Sequence, residues 1–315
     1  MNATNPNAAY NLFLQRAYAH QNKTGCNQIF LFDALRDLFN NTIEPPTAAA
    51  RIASFVFSQT DFLPAYECVL GYYSCILGAA SAIPEESQLR RLAELVLSLS
   101  QLPDARNESQ DTLRLQSQSA SLVINLGQMI LIDDRRIWAD LPLFEVNFCD
   151  SMYGPEAWIS DGLEDDLAEQ RWLSLNTFAA YLVHDSNDSE LSFDFLFQYA
   201  FRTLAFALEY DPIAVDGPET LLHVTSACRW VTIAGAQLLI KSLEGTQHVP
   251  PGPIWSAEGG ANVVCQARWE AWASRLIELA SSDLIHEEVK NMAILSATKI
   301  RALRNSGSTS NMEPE

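Results

Sequence analysis

The chain has 315 residues, 48% hydrophobic and 10% aromatic, enough to bury a large core, and its apolar segments run from end to end without a long break. Lys and Arg number 20 against 39 Asp and Glu, and the resulting net charge of -19 repels a phosphate backbone. Nucleic acid and anionic lipid surfaces are therefore excluded as natural partners, and the acidity itself reads as solubility.

Residues 1–11 carry no basic residue and no apolar run, so they do not resemble a secretory leader or a transit sequence, and a cytoplasmic protein is expected. Helical periodicity predicts elements over Ala8–His20, Asn27–Asn40, Thr47–Thr60, Phe62–Ala80, Glu85–Gln101 and Thr112–Ile132. The run Phe62–Ile83 holds a single charge, Glu67, but Pro64, Gly71, Gly78 and several Ser and Tyr residues make it a core helix, with no membrane contact. Pro103–Asp111 is polar and reads as a surface loop. Asp150–Asp166 combines six acidic residues with Gly154, Pro155 and Gly162 and no basic residue, and reads as a mobile acidic loop.

Helices resume over Glu169–Val183, Leu191–Glu209, Pro218–Glu244, Val263–Ser281 and Leu284–Arg304, giving an all-α fold of about eleven helices in a multi-helical array without a regular repeat. Asp216 and Glu219 form a capping-box pattern around Pro218, and Gly245 supplies the stop of one long helix. Its face Ala227, Trp230, Val231, Ala234 and Leu238 has helical spacing. Cys265, Trp269, Trp272, Leu276 and Leu279 form the buried side of the next helix, with Arg268, Glu270, Arg275 and Glu278 on its other faces. A single domain over residues 1–304 and a disordered tail over 305–315 complete the expected organisation.

Catalytic patterns are sparse. Asp165-Asp166-Leu167-Ala168-Glu169 spells the D-D-x-x-E string with which class I terpene synthases hold Mg²⁺, because carboxylates one turn apart can share a hard cation. The second metal string such enzymes need fails at Leu191, so the two aspartates read as the first turn of a helix, where they favour its dipole. Ser296-Ala297-Thr298-Lys299 and Lys23-Thr24-Gly25 match serine β-lactamase strings in reversed order and read as chance. His20, His184, His223, His248 and His286 show no metal-ligand spacing, and six dispersed cysteines read as buried free thiols. No cofactor or metal is called for.

Gly252-Pro253-Ile254-Trp255 and Arg268-Trp269-Glu270-Ala271-Trp272 put three of the seven tryptophans within eighteen residues. They read first as core; as a pocket wall, Trp255, Trp269 and Arg268 would suit a flat or cationic ligand. Arg171 and Asn176 complete the ligand-binding candidates, with Asp133 and Arg202 as further scattered polar groups.

These segments carry a family resemblance. Trp138-Ala139-Asp140-Leu141-Pro142 looks like a W-x-D-L-P entry, and Arg171-Trp172-Leu173-Ser174-Leu175-Asn176-Thr177-Phe178-Ala179-Ala180 is similar to a W-x-N-L-N-x-F-x-A helix, with Ser174 where Asn is usual. Together with the Gly-Pro-x-Trp loop, Arg268-Trp269-x-x-Trp272 and the closing helix, they resemble the fungal domain-of-unknown-function 3632 family over roughly residues 138–303. The resemblance implies a helical, intracellular protein, some members being encoded beside fungal natural-product genes, and it supplies no catalytic residues. The functional expectation is a non-catalytic interaction or accessory protein, tied through the resemblance to a secondary-metabolite gene cluster, with a protein or small molecule as partner. The alternative is a binder or enzyme with an inter-helical pocket. Polar groups solvated singly favour the first; polar groups converging beside the tryptophans favour the second.

Overall fold

Helix is the default where Leu and Ala are abundant and apolar residues return every three or four positions, as they do through most of this chain. A computed structural model describes residues 29–58, 65–108, 112–116, 121–186, 193–214 and 218–309. Among these residues, twelve helices accompany two small two-stranded sheets, so the all-α expectation holds. The predicted helix at Ala8–His20 lies outside them. Where the sequence reads as one domain, backbone contacts gather into two compact units, Met1–Met152 with Asp188–Ser192 and Tyr153–Asn187 with Phe193–Glu315.

The first unit contains α1 (Ile29–Phe39), α2 (Pro45–Ser58), α3 (Ala65–Ala82), α4 (Glu86–Ser100) and α5 (Phe144–Ser151). Helix α2 packs on α4 and α1, and α3 on α5, around Phe32, Leu35, Tyr73, Leu92 and Phe144. Among the described residues no helix is long and apolar enough to cross a membrane.

The helix predicted over Thr112–Ile132 is not formed. Strands β1 (Leu113–Gln116) and β2 (Ser121–Ile124) pair antiparallel with Leu113 opposite Ile124, and β3 (Leu131–Ile132) pairs with β4 (Arg135–Arg136). Apolar residues in this stretch recur at every second position as well as at helical spacing, and Gly127, at φ 77°, breaks any helix. The β3–β4 turn is Asp133-Asp134, at φ 50° and 61°, the doubly left-handed turn that suits a two-residue hairpin. Just beyond it, the Asp140 carboxylate accepts the Arg136 N–H at 2.6 Å and its guanidinium at 3.0 Å, fixing a bend in which Leu141 and Leu143 both have positive φ.

The second unit contains α6 (Pro155–Ser160), α7 (Asp165–Asp185), α8 (Asp194–Leu208), α9 (Thr220–Leu243), α10 (Pro253–Ala257), α11 (Gln266–Ala280) and α12 (Glu287–Thr309). Helix α9 is central, packing on α7, α8 and α12, while α11 packs on α12. Its predicted face, Ala227, Trp230, Val231, Ala234 and Leu238, is fully buried. Ser296 and Lys299 donate hydrogen bonds to the Cys228 and Thr232 carbonyls, so the S-x-x-K pair ties α12 to α9.

Several expectations are corrected here. Asp150–Asp166 is not a mobile loop: α5 runs to Ser151, α6 occupies 155–160, and α7 opens at Asp165, with Gly154 and Gly162 at positive φ in the connections. Of the six acidic residues there, Glu156, Asp165 and Asp166 occupy first helical turns, favourable for their charge, and Glu164 is the N-cap residue of α7. Helix α9 starts at Thr220 with Glu219 as its N-cap residue, and Gly245 ends it at φ 68° as expected. Asp216 lies outside the described residues; in this structure a carboxylate from elsewhere, that of Glu156 on α6, accepts the Glu219 N–H. At the C-terminus α12 continues to Thr309, past the Arg304 limit predicted for it, and the rest of the expected tail lies outside the described residues.

Candidate functional site

The C-terminal end of α8 delivers Glu209 into the core, where 2% of it remains exposed, and the first turn of α11 delivers Arg268, with none exposed. Two charges removed from water this far are tolerable only if they are paired and hydrogen-bonded. The pair is bidentate: Arg268 Nε meets Glu209 Oε1 at 2.6 Å and the Nη2 group meets Oε2 at 2.9 Å. The remaining guanidinium protons go to the Val249, Pro250 and Asn262 carbonyls. Glu209 also accepts the Trp272 indole N–H at 2.6 Å and the Gly252 backbone N–H at 2.8 Å. Every donor of the guanidinium and both carboxylate oxygens are thus engaged within the protein, and the guanidinium carbon lies 5.5 Å from the centroid of the Trp272 ring.

The Gly-Pro-x-Trp loop is closed over this pair. Ile254 donates its N–H to the Glu209 carbonyl at 3.0 Å, and a β-carbon on Gly252 would lie 2.6 Å from the Glu209 β-carbon, so only glycine admits the approach. Gly260 is more constrained: its β-carbon would fall 2.1 Å from the Trp255 indole. The Trp255 N–H meets the Ala261 carbonyl at 2.9 Å, and the Trp269 N–H meets the Ser242 hydroxyl at 3.0 Å. Phe201 stacks on Trp272.

Of the sequence-predicted ligand residues, the structure brings Trp255, Trp269 and Arg268 into one neighbourhood. Arg268 was expected off the buried face of α11, as a possible pocket wall; it is itself buried, because Glu209 is there to receive it. Asn176 sits in a separate buried node, accepting the Trp230 indole N–H at 2.7 Å and the Thr203 hydroxyl at 3.2 Å while donating to the Trp172 carbonyl. It joins α7, α8 and α9. Arg171 is half-buried on α7, Arg202 is exposed on α8 over the Phe206 ring, and Asp133 is in the hairpin turn of the other unit.

Sequence reasoning missed two features. One is the Glu156–His223 pair, 2.8 Å apart, with His223 buried between the rings of Trp172 and Phe206. Burial raises the Glu156 pKa, but the His223 hydrogen bond and charge, with backbone N–H groups, outweigh it and hold the carboxyl below its ordinary value. The other is an open groove of about 650 Å³ beside α10 and α11, lined among others by Leu208, Ile254, Trp255, Ala271 and Trp272, with Glu258 and Glu278 also along it. Its residues come from the end of α8 and, more than forty positions later, from α10 and α11.

Asp165 and Asp166 are exposed on the first turn of α7, the helix start expected for them; Asn187–Ser192 lies outside the described residues. Among the described residues no three His, Cys, Asp or Glu side chains are grouped to hold a metal ion. Cys75, Cys149, Cys228 and Cys265 are free thiols.

A family described as "Protein of unknown function (DUF3632)" matches the chain over residues 73–276. The match starts well before Trp138 and stops short of the closing helix, so it takes in both units. No protein with a curated description and no solved structure matches the chain.

Proposed function

The chain belongs to the DUF3632 family, and we propose that it works as a non-catalytic interaction or accessory protein. The observation that supports this reading is the saturation of its most suggestive polar group. Arg268 converges with Glu209 and the tryptophans as a pocket would require, yet the guanidinium is buried and committed to internal acceptors. A substrate could reach it only by breaking a bidentate buried pair, at a cost of roughly 3–5 kcal/mol. Convergence here serves rigidity, and the surface it supports is the part offered to a partner. A cytoplasmic setting fits the free thiols, and a place beside a fungal secondary-metabolite pathway rests on the family resemblance alone.

A second reading, a small-molecule binder, has one observation in its favour: the groove of about 650 Å³ has the size of a ligand site. A thermal-shift screen against aromatic and terpenoid metabolites separates the two. A ligand at a hundred times its Kd stabilises the native state by about 2.7 kcal/mol, a shift of several degrees. A flat response is expected; a saturable shift that disappears when Ala271→Trp fills the groove would replace the interaction reading with the binder.

A further inference from the structure

Helix α6 is short, shallowly seated and bracketed by glycines. Its six residues are too few to persist as a helix alone in water, and of residues 154–162 only Gly154 and Pro155 are buried. The helices it lies against, α7 and α9, are buried along their length. The free energy of local opening follows buried contact, which places the α6 segment toward the low end of its unit. Gly154, at φ 97°, and Gly162, at φ 91°, hold a backbone that any other residue would strain, and they leave the chain free to reorient at both ends of the helix. A β-carbon on Gly154 would also lie 2.8 Å from the Glu156 carboxylate, so glycine makes room for that side chain.

The contacts that hold the segment down are specific. The Glu156 carboxylate meets His223 Nε2 at 2.8 Å and accepts the Glu219 backbone N–H at 3.1 Å, both at the start of α9. Trp158 rests edge-on against Trp172 of α7, 6.3 Å between ring centres. The two side chains gripped in this way each keep a buried polar atom with no hydrogen-bond partner, His223 Nδ1 and Trp172 Nε1. His223 itself is 1% exposed, wedged between Trp172 and Phe206. A buried polar atom without a partner carries a desolvation penalty that contact with water lifts. Closure therefore works against these two atoms, and the Glu156 contacts offset that cost.

We propose that residues 154–162 form a strap that swings open on Gly154 and Gly162, with Glu156 as its clasp, and that opening uncovers a recess walled by Trp172 and Phe206 with the His223 imidazole at its base. The closed form is the resting one. The open form presents an aromatic, hydrogen-bonding surface that the closed molecule does not have.

The test reads two signals from the full chain at about pH 7. One is amide hydrogen exchange by mass spectrometry, followed at Asp161, Gly162 and Leu163, whose N–H groups bond back to carbonyls of α6. The other is carbethoxylation of His223 by diethyl pyrocarbonate, with the exposed His184 and His248 as references. In the parent, strap amides should be at least about a hundredfold less protected than the middle of α9. Sub-denaturing urea should speed exchange in α9 while leaving both the strap and His223 labelling nearly unchanged, because local opening exposes little surface. Glu156→Ala should speed strap exchange and His223 labelling together, at least about tenfold. Gly162→Ala, whose β-carbon meets nothing within 4 Å, strains the closed backbone alone and should speed the same two signals. Leu276→Ala, a cavity in α11 away from the strap, should speed exchange in α9 and leave the strap as it was. A strap that exchanges with α9 at one rate and one urea dependence, or His223 labelling that follows α9, overturns the proposal. So does a strap that is no faster in Glu156→Ala or in Gly162→Ala than in the parent.

Discussion

At the scale of single residues, the buried pair of Glu209 and Arg268 carries the largest energetic consequence. Replacing Arg268 by Met leaves a carboxylate buried with only the Trp272 and Gly252 N–H groups to face it, and replacing Glu209 by Gln leaves a guanidinium without its counter-charge. Each variant is expected to lose about 3–5 kcal/mol in denaturant unfolding of the second unit. Arg268→Lys should recover little of this, because an ammonium cannot reproduce the two-pronged contact or reach all three backbone carbonyls. A loss under 1 kcal/mol for Arg268→Met would mean that solvent reaches the pair. Gly260→Ala probes the same loop through sterics. Its methyl group would stand 2.1 Å from the Trp255 ring, and relief requires the loop to move, so a destabilisation of about 1–3 kcal/mol with a changed tryptophan emission is expected.

At the scale of elements, the β3–β4 hairpin offers the sharpest test. Asp133 and Asp134 both hold left-handed backbone angles that glycine or asparagine adopts more readily. The double change Asp133→Asn with Asp134→Gly is expected to stabilise the first unit by about 0.5–1 kcal/mol, measured as a higher denaturant midpoint. The same hairpin shows where sequence pattern loses its grip. Long helices such as α7, α9 and α11 are legible because their apolar residues extend over several turns; α11 keeps a single buried face, whereas α7 and α9 are buried on several. Two-residue strands are too short to have a period, and their existence is decided by the turn. Asp133-Asp134 does not spell the usual hairpin signal. Arg268 was misread for a related reason: charge predicts exposure until a partner is found, and its partner lies 59 positions earlier at the end of an apolar helix. Glu209, directly after Leu204-Ala205-Phe206-Ala207-Leu208, was the only available hint. The Trp cluster was legible as core, whereas the groove beside it depends on how α8, α10 and α11 meet.

At the scale of the whole molecule, ionisation sets a stability window whose two edges have different owners. Arg51 and Arg36 hold the Asp37 carboxyl below its ordinary value, Arg136 does so for Asp140, and the His223 contact prevails over burial for Glu156. A carboxyl with a depressed folded pKa binds fewer protons than its unfolded counterpart. Its contribution is therefore present above the unfolded value, 3.8 for the aspartates and 4.5 for the glutamate, and is lost as pH falls through the lower folded value. On the alkaline side burial governs. It pushes the Cys228 thiol from 9.0 to about 11 and raises the buried Tyr72 and Tyr73 hydroxyls above their ordinary 10.0. These groups stay neutral in the folded chain while the unfolded chain ionises, so stability is full below the unfolded pKa and declines as pH rises towards the folded one. For Cys228 the loss between pH 9 and 11 is roughly 3 kcal/mol. Guanidinium midpoints should hold level from about pH 5 to 8 and fall on both sides. The second unit contains Cys228 and Glu156, the first Asp37, Asp140 and both tyrosines, so each has an acid edge and an alkaline edge. Cys228→Ala should lower the midpoint at pH 7 through its small cavity, yet flatten the second unit's decline above pH 9. If the decline keeps its slope in that variant, ionisation of the buried thiol is not what sets the alkaline edge.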